Sequence, residues 1–149
     1  MASWAELEAS NSTLAAAGRR LMYRTETGEA LLATVRGDAP PRIHPIWVAI
    51  ADGHLYAFIL KSAKRTDLER DGRFALHTHV DPAAPSEISV RGRARLVDAP
   101  ERRAEVGGNW YFEVDETYEL FDFDIEASVL GVRDNADEWP PRYTSWTAP

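Results

Sequence analysis

The sequence contains no cysteine and only two lysines, Lys61 and Lys64, among its 149 residues. Without cysteine the chain can form neither disulfide bonds nor thiolate metal sites, and nothing indicates secretion. No apolar run approaches the roughly 20 residues that a membrane-spanning helix needs. The first residues also lack the basic start and apolar core of a signal peptide. We therefore expect a cytoplasmic protein that is not associated with a membrane.

Several classes of function have no support in the sequence. The formal net charge is -7 and the arginines are spread along the chain, whereas nucleic-acid-binding proteins usually present a basic face. No Gly-x-Ser-x-Gly motif is present, and no glycine-rich phosphate loop precedes a long helix. We therefore expect no nucleic-acid partner and no hydrolase, kinase or Rossmann-type activity.

The pattern of apolar residues predicts one domain of strands with a few helices at its periphery. Residues 3–22 are predicted to be helical, with an interruption near Asn11 and Ser12. Six strands are predicted at residues 29–36, 42–51, 54–60, 74–80, 87–97 and 118–132, with short helices at 62–71 and 100–106. The core therefore spans about residues 28–132, and the tail, residues 133–149, is predicted to be aromatic and turn-rich.

Local signals specify how the strands are connected. Asp52-Gly53 is a strong two-residue hairpin signal, and the strand that follows is apolar on both faces, which is typical of a central strand. Gly92 inside a long strand predicts a bend, a bulge or a close approach of another backbone. Six antiparallel strands joined by hairpins predict a mainly β fold, a small antiparallel barrel with peripheral helices.

Both lysines belong to the segment Lys61-Ser62-Ala63-Lys64-Arg65, at the junction of a predicted strand and a predicted helix. Cations, a hydroxyl and the free N–H groups of a helix start together favour an anion, and a phosphate fits best. In an acidic protein this local cluster of positive charge predicts a binding site. The alternative is a basic turn that is merely solvated.

The remaining polar residues do not predict a metal site. His77 and His79 are two residues apart on a predicted strand, but no third ligand has a useful spacing. The acidic residues between Glu113 and Glu126 lack the loop spacing of a calcium site. Their alternation with apolar residues instead predicts that Asp122 and Asp124 lie on a solvated strand face.

An ordered set of segments resembles the pyridoxamine-5′-phosphate-oxidase-like, FMN-binding split-barrel family. These segments are residues 41–47, 52–56, 61–68, 71–77, 90–94 and 120–130. The resemblance covers about residues 28–132. It implies a six-stranded antiparallel split barrel, and a homodimer with FMN at the subunit interface.

The resemblance also implies which residues contact the cofactor. Ser62 and Lys64 would hold the phosphate, reinforced by Lys61 and Arg65. Arg42 and its strand neighbours would line the flavin ring and the ribityl chain. The full set of expected cofactor-binding residues is Arg42, Ile43, His44, Pro45, Ile46, Phe58, Ile59, Lys61, Ser62, Lys64, Arg65 and Trp146. No catalytic acid or base is assigned, because the chemistry of such a protein belongs to the cofactor.

Two departures from the family argue against oxidation of pyridoxamine phosphate. Ala63 replaces the arginine of the usual Ser-Arg-Lys turn, and the C-terminus lacks the arginine- and histidine-rich segment that holds the substrate. We expect an FMN-dependent oxidoreductase acting on another small molecule. A deazaflavin-dependent reductase is an alternative, since that coenzyme also carries a phosphate. A non-catalytic flavin-binding or sensor module is a second alternative.

Overall fold

The computed structural model describes residues 1–149 and contains four helices and seven strands. The helices are α1 (Trp4–Ser10), α2 (Ser12–Met22), α3 (Ala63–Arg70) and α4 (Pro100–Gly108). The strands are β1 (Gly28–Arg36), β2 (Ala39–Ala51), β3 (His54–Leu60), β4 (Arg73–His77), β5 (Glu87–Leu96), β6 (Tyr118–Val132) and β7 (Arg142–Thr147). None of the helices combines the length and the apolar character that crossing a bilayer requires.

Six of the strands close into a ring. They are antiparallel neighbours in the order β3-β2-β1-β4-β5-β6, and β6 also pairs with β3. Closure pairs most of the strand edges that would otherwise invite association with other chains. The mainly β, antiparallel barrel predicted from the sequence is therefore confirmed.

The seventh strand lies outside the ring, at the end of the tail that was predicted to be turn-rich, and the sequence did not predict it. Arg142–Thr147 form β7, which pairs with residues 127–132 of β6. The segment contains Tyr143, Trp146 and two threonines, which all favour strands. Its signal is obscured by the neighbouring prolines, and its pairing partner could not be identified from local sequence.

The hairpin between β2 and β3 forms at Asp52-Gly53, as predicted. Both residues have positive φ angles, 48° and 75°, which suits the tight turns that connect antiparallel strands. Only Ala49–Ala51 of β2 pair with β3. Because the rest of β2 is paired on one side only, it can include Pro40, Pro41 and Pro45, which cannot donate to a neighbouring strand.

The predicted interruption of the first helix is present and has a capping residue. The side chain of Asn11 accepts a hydrogen bond from the Leu14 N–H at 3.1 Å, which begins α2 immediately after α1. Ser3 and Glu6 form a capping box at the start of α1. The two helices bury Trp4, Leu7, Leu14 and Met22 in the barrel core.

One acidic residue of β6 is not solvated, contrary to the sequence prediction. Asp122 is buried, and its carboxylate lies 2.8 Å from Nδ1 of His54. Arg95 lies 3.9 Å from the same carboxylate and also pairs with Asp124. Burial raises the pKa of Asp122, while His54 and Arg95 oppose that effect. These partners come from distant strands, so the alternation within β6 could not reveal them.

Candidate functional site

A cleft opens between β2 and β3, where these two strands of the barrel separate. Beyond the hairpin, β3 leaves β2 and pairs with β6 through Tyr56–Leu60. The space between the diverging strands is a cleft of about 690 Å³, within the range typical of small-molecule sites. It is lined by Glu29, Pro45, Ile46, Trp47, Phe58, Ile59, Leu60, Lys61, Ser62, Lys64, His79, Trp110, Phe112 and Tyr118.

The basic turn lies at one end of this cleft, as the start of α3. Ser62 is the N-cap residue, with its hydroxyl 3.4 Å from the Arg65 N–H and its carbonyl accepting from the Thr66 N–H. The N–H groups of Ala63 and Lys64 precede the first helical hydrogen bond, so they belong to the unpaired donors of a helix start. Such donors and the helix dipole favour a bound anion.

Neither Lys61 nor Lys64 forms an ion pair with a carboxylate of the chain. Lys61 is exposed, whereas Lys64 is half-buried. Burial lowers the pKa of Lys64, because a cation without a counter-charge loses solvation there. A bound anion would supply the missing counter-charge and remove this cost of burying the Lys64 cation. The two lysines therefore place uncompensated positive charge in the cleft.

Arg42 does not line the cleft; instead it is bound to α3. Its guanidinium donates two hydrogen bonds to Asp67, at 2.9 and 3.3 Å, and Thr34 donates a third to the same carboxylate at 2.8 Å. Asp67 is 5% exposed. The hydrogen bonds from Arg42 hold the pKa of Asp67 below its usual range. The pair fixes α3 against β1 and β2, and thereby positions the basic turn.

His44 and Ile43 lie on opposite faces of β2. His44 is half-buried, and its Nε2 atom is buried without a hydrogen-bond partner. Burial lowers the pKa of His44, and the positive charges of Lys64 and Arg42 lower it further. Ile43 instead points outward and is 68% exposed. Neither side chain lines the cleft in a single chain.

Two further residues expected at the cofactor are also engaged elsewhere. Arg65 donates to Glu69 at 3.0 Å and to the Thr117 carbonyl at 3.1 Å. Trp146 lies on β7, where its indole N–H donates to Ser10 at 2.8 Å. Of the expected residues, the chain brings together Pro45, Ile46, Phe58, Ile59, Lys61, Ser62 and Lys64.

An aromatic wall that the sequence analysis did not identify completes the cleft. Trp110 packs edge-on against Phe58 with ring centroids 5.1 Å apart, and Phe112 lies 5.3 Å from Trp47. Between them, the Tyr111 hydroxyl donates to the Val48 carbonyl at 2.7 Å. The run Trp110-Tyr111-Phe112 after Gly107-Gly108 was the available signal. Its location depended on contacts with strands far away in the sequence.

Glu29 and His79 also line the cleft. Glu29 pairs with Trp47 across β1 and β2, whereas the lysines lie at the junction of β3 and α3. The cleft therefore contains a carboxylate as well as cations, and different elements carry them.

Comparisons with known proteins agree with this architecture. The sequence profile of the family described as pyridoxamine 5′-phosphate oxidase matches residues 21–128, which is more than half of the chain. A comparison with curated proteins gives no match. Seventy-eight chains of solved structures match the fold.

Three solved structures illustrate the range of these matches. A protein of Clostridium acetobutylicum related to general stress protein 26, of the pyridoxinephosphate oxidase family, has a TM-score of 0.64 and 11% identity, with 89% of this chain and 92% of that chain covered. A heme binding protein from Mycobacterium smegmatis has a TM-score of 0.64 and 16% identity, with 89% and 57% covered. A FAD-binding protein from Mesorhizobium loti has a TM-score of 0.57 and 16% identity, with 76% and 90% covered.

Because the sequence identities are low, the structural matches establish the fold and not a shared ligand. Two of the matched proteins are named for different ligands, heme and FAD. The family assignment depends on the profile match, which covers α2 in part, all of β1 to β5, and most of β6. The chain belongs to the pyridoxamine 5′-phosphate oxidase family.

Proposed function

We propose that this protein binds FMN in the cleft and acts as an FMN-dependent oxidoreductase on a small molecule. The observation that carries the proposal is the pair of lysines, Lys61 and Lys64, which have no carboxylate partner and face the cleft at the start of α3. A phosphate group supplies the missing counter-charge. It also accepts hydrogen bonds from a hydroxyl and from helix N–H groups.

The residues around the proposed phosphate position have different roles. Ser62 and Lys64 would hold the phosphate, with the N–H groups at the start of α3, and Lys61 would add charge at the solvent side. Arg42 contributes by fixing α3 through Asp67. Arg65 is not part of the proposed set, because its guanidinium is bound to Glu69 and Thr117.

The apolar part of the cleft suits the flavin ring. Pro45, Ile46, Phe58 and Ile59 lie on the two diverging strands, and Trp110 covers them from the side. Aromatic and apolar side chains of this kind bury a flat ring and exclude water from it. When bound, FMN would supply hydride-transfer chemistry, and the protein would supply position and electrostatics. The FAD-binding relative supports a flavin as the ligand class.

The absorption spectrum of the purified protein tests the cofactor. An oxidised-flavin spectrum, or its appearance on adding FMN, is the expected result. A deazaflavin spectrum would favour the alternative coenzyme, whose phosphate the basic turn fits equally well. Bound FMN without turnover, assayed with a reduced nicotinamide donor and a panel of acceptors, would favour a sensor module. A colourless protein that binds neither coenzyme would contradict the proposal.

Replacing Lys64 by alanine should weaken FMN binding by about 1.5–3 kcal/mol, a factor of roughly 10 to 150, because a charge-assisted bond to the phosphate is lost. Lys64→Met keeps the apolar part of the side chain and should show the same loss, which assigns it to the charge. Quenching of flavin fluorescence measures both dissociation constants. Arg70→Ala, at the exposed far end of the same helix, is the control. Equal affinity in all variants would show that the phosphate binds elsewhere.

We further propose that the protein is a homodimer with the cleft at the subunit interface. The outer face of β2, β1 and β4 carries Ile43, Leu31, Ala33 and Ala75 with no helix over it, and forms a shallow apolar depression. His79 lines both this depression and the cleft. Apolar patches of this kind usually mark interaction surfaces. A partner on this face would therefore also border the cofactor.

Ile43→Glu should raise the dimer dissociation constant at least about tenfold, because it places an unpaired charge in an apolar interface. Sedimentation equilibrium of the wild type and the variant measures the change. Leu96→Glu introduces the same charge at an exposed leucine at the end of β5, away from the depression, and should leave the association unchanged. A wild-type protein that is monomeric with FMN bound would contradict the proposed dimer.

A further inference from the structure

The carboxylate of Glu29 has no use in the phosphate and flavin sites described above. Glu29 lines the cleft together with Trp47 and Phe112. It lies directly opposite Trp47 across the β1–β2 ladder. Directly opposed residues of two paired strands project to the same face of a sheet, so the two side chains share one face. This part of the cleft therefore combines one carboxylate with aromatic rings.

The charge of Glu29 is not neutralised within the chain. Its carboxylate accepts one long hydrogen bond, from the Thr27 hydroxyl at 3.4 Å. No lysine, arginine or histidine forms an ion pair with it, including His79, which also lines the cleft. A half-buried carboxylate without a cation favours a positively charged ligand.

The neighbouring rings favour the same class of ligand. The centroids of Trp47 and Phe112 are 5.3 Å apart with their planes at 45°, so the rings form two sides of a corner next to Glu29. Aromatic faces attract organic cations, and the attraction is strongest where water is partly excluded. A carboxylate alone would also accept hydrogen bonds from neutral donors, whereas a carboxylate beside aromatic rings discriminates in favour of cations.

We propose that Glu29, Trp47 and Phe112 form a subsite for the protonated amino group of the substrate, so that the protein acts on an organic amine with an apolar body. As a statement about the substrate, this inference rests on the proposed function. The phosphate of the cofactor occupies the basic turn, and the substrate amine lies beside Glu29. The two sites, which carry opposite charges, thus orient cofactor and substrate relative to each other.

A titration with benzylamine, benzyl alcohol and benzoate tests the subsite, because the three probes share a ring and differ in charge. Ligand-observed NMR on the wild-type protein, with and without FMN, should rank benzylamine first. Glu29→Gln removes the charge and keeps the shape of the side chain, so it should weaken benzylamine binding about tenfold or more. Its affinity for benzyl alcohol should change less than twofold.

Glu26→Gln is the matched control, since Glu26 is exposed three residues earlier and does not line the cleft. It should leave benzylamine affinity unchanged. Equal binding of benzylamine and benzyl alcohol to the wild type, or an unchanged benzylamine affinity in Glu29→Gln, would overturn the inference. The titration without FMN measures the subsite independently of the cofactor. Failure of the wild type to bind FMN would therefore contradict the proposed function and not this inference.

Discussion

Replacing Gly92 by alanine should destabilise the protein by about 3–5 kcal/mol, because a methyl group there has no space. A Cβ atom at this position would lie 1.9 Å from the Asp124 carbonyl oxygen and 3.0 Å from the Glu126 nitrogen. Both are backbone atoms of β6, so no flexible side chain can move aside. Urea denaturation of the wild type and the variant measures the difference. Absence of folded protein would agree with the same expectation.

The close approach at Gly92 arises from a β-bulge. Arg91 pairs with Ala127 and Gly92 with Ile125, so β6 contains one extra residue at this point. Bulges bend a strand and increase its twist, which helps a sheet to close into a ring. Gly108→Ala is the control, since no atom lies within 4 Å of the added Cβ, and the change should stay within about 1 kcal/mol. A similar small effect at Gly92 would contradict the role of the bulge.

The features predicted correctly from the sequence are those that local rules determine. The turn at Asp52-Gly53, the apolar strand that follows it, and the short helix that starts at the basic turn each depend on neighbouring residues. The bulge at Gly92 also has a local signal, because glycine inside a strand is unusual. In this way the sequence predicted the six barrel strands along the chain and the position of the basic turn.

The features that were missed depend on contacts between distant segments. The Arg42–Asp67 pair joins residues 25 apart, and the Asp122–His54 pair joins residues 68 apart. Nothing in the local sequence around Arg42, which is expected to line the cofactor, indicates that a helix carboxylate binds its guanidinium. Likewise, Trp110 becomes part of the cleft only because α4 and the segment after it pack on β3 and β6. Such outcomes require the tertiary structure.

Replacing Arg42 by alanine should destabilise the protein and lower its urea midpoint, because it leaves the buried carboxylate of Asp67 without its cation. The partial exposure of the Arg42 side chain, 33%, and the hydrogen bond that Thr34 still donates to Asp67 moderate the loss. Urea denaturation at pH 7 measures the loss. Arg91→Ala, an exposed arginine on β5, should change the stability by less than about 0.5 kcal/mol.

A second substitution separates loss of the pair from loss of arginine packing. Asp67→Asn in the Arg42→Ala background removes the uncompensated charge, so the double variant should be more stable than Arg42→Ala alone.

The dependence of stability on pH tests the same pair. Because Arg42 lowers the pKa of Asp67, the pair contributes stability above the unfolded pKa of about 3.9, and this stability is lost as the pH falls through the folded value. Arg42→Ala should therefore reduce the acid sensitivity of unfolding, and an unchanged pH profile would show that the pair does not stabilise α3.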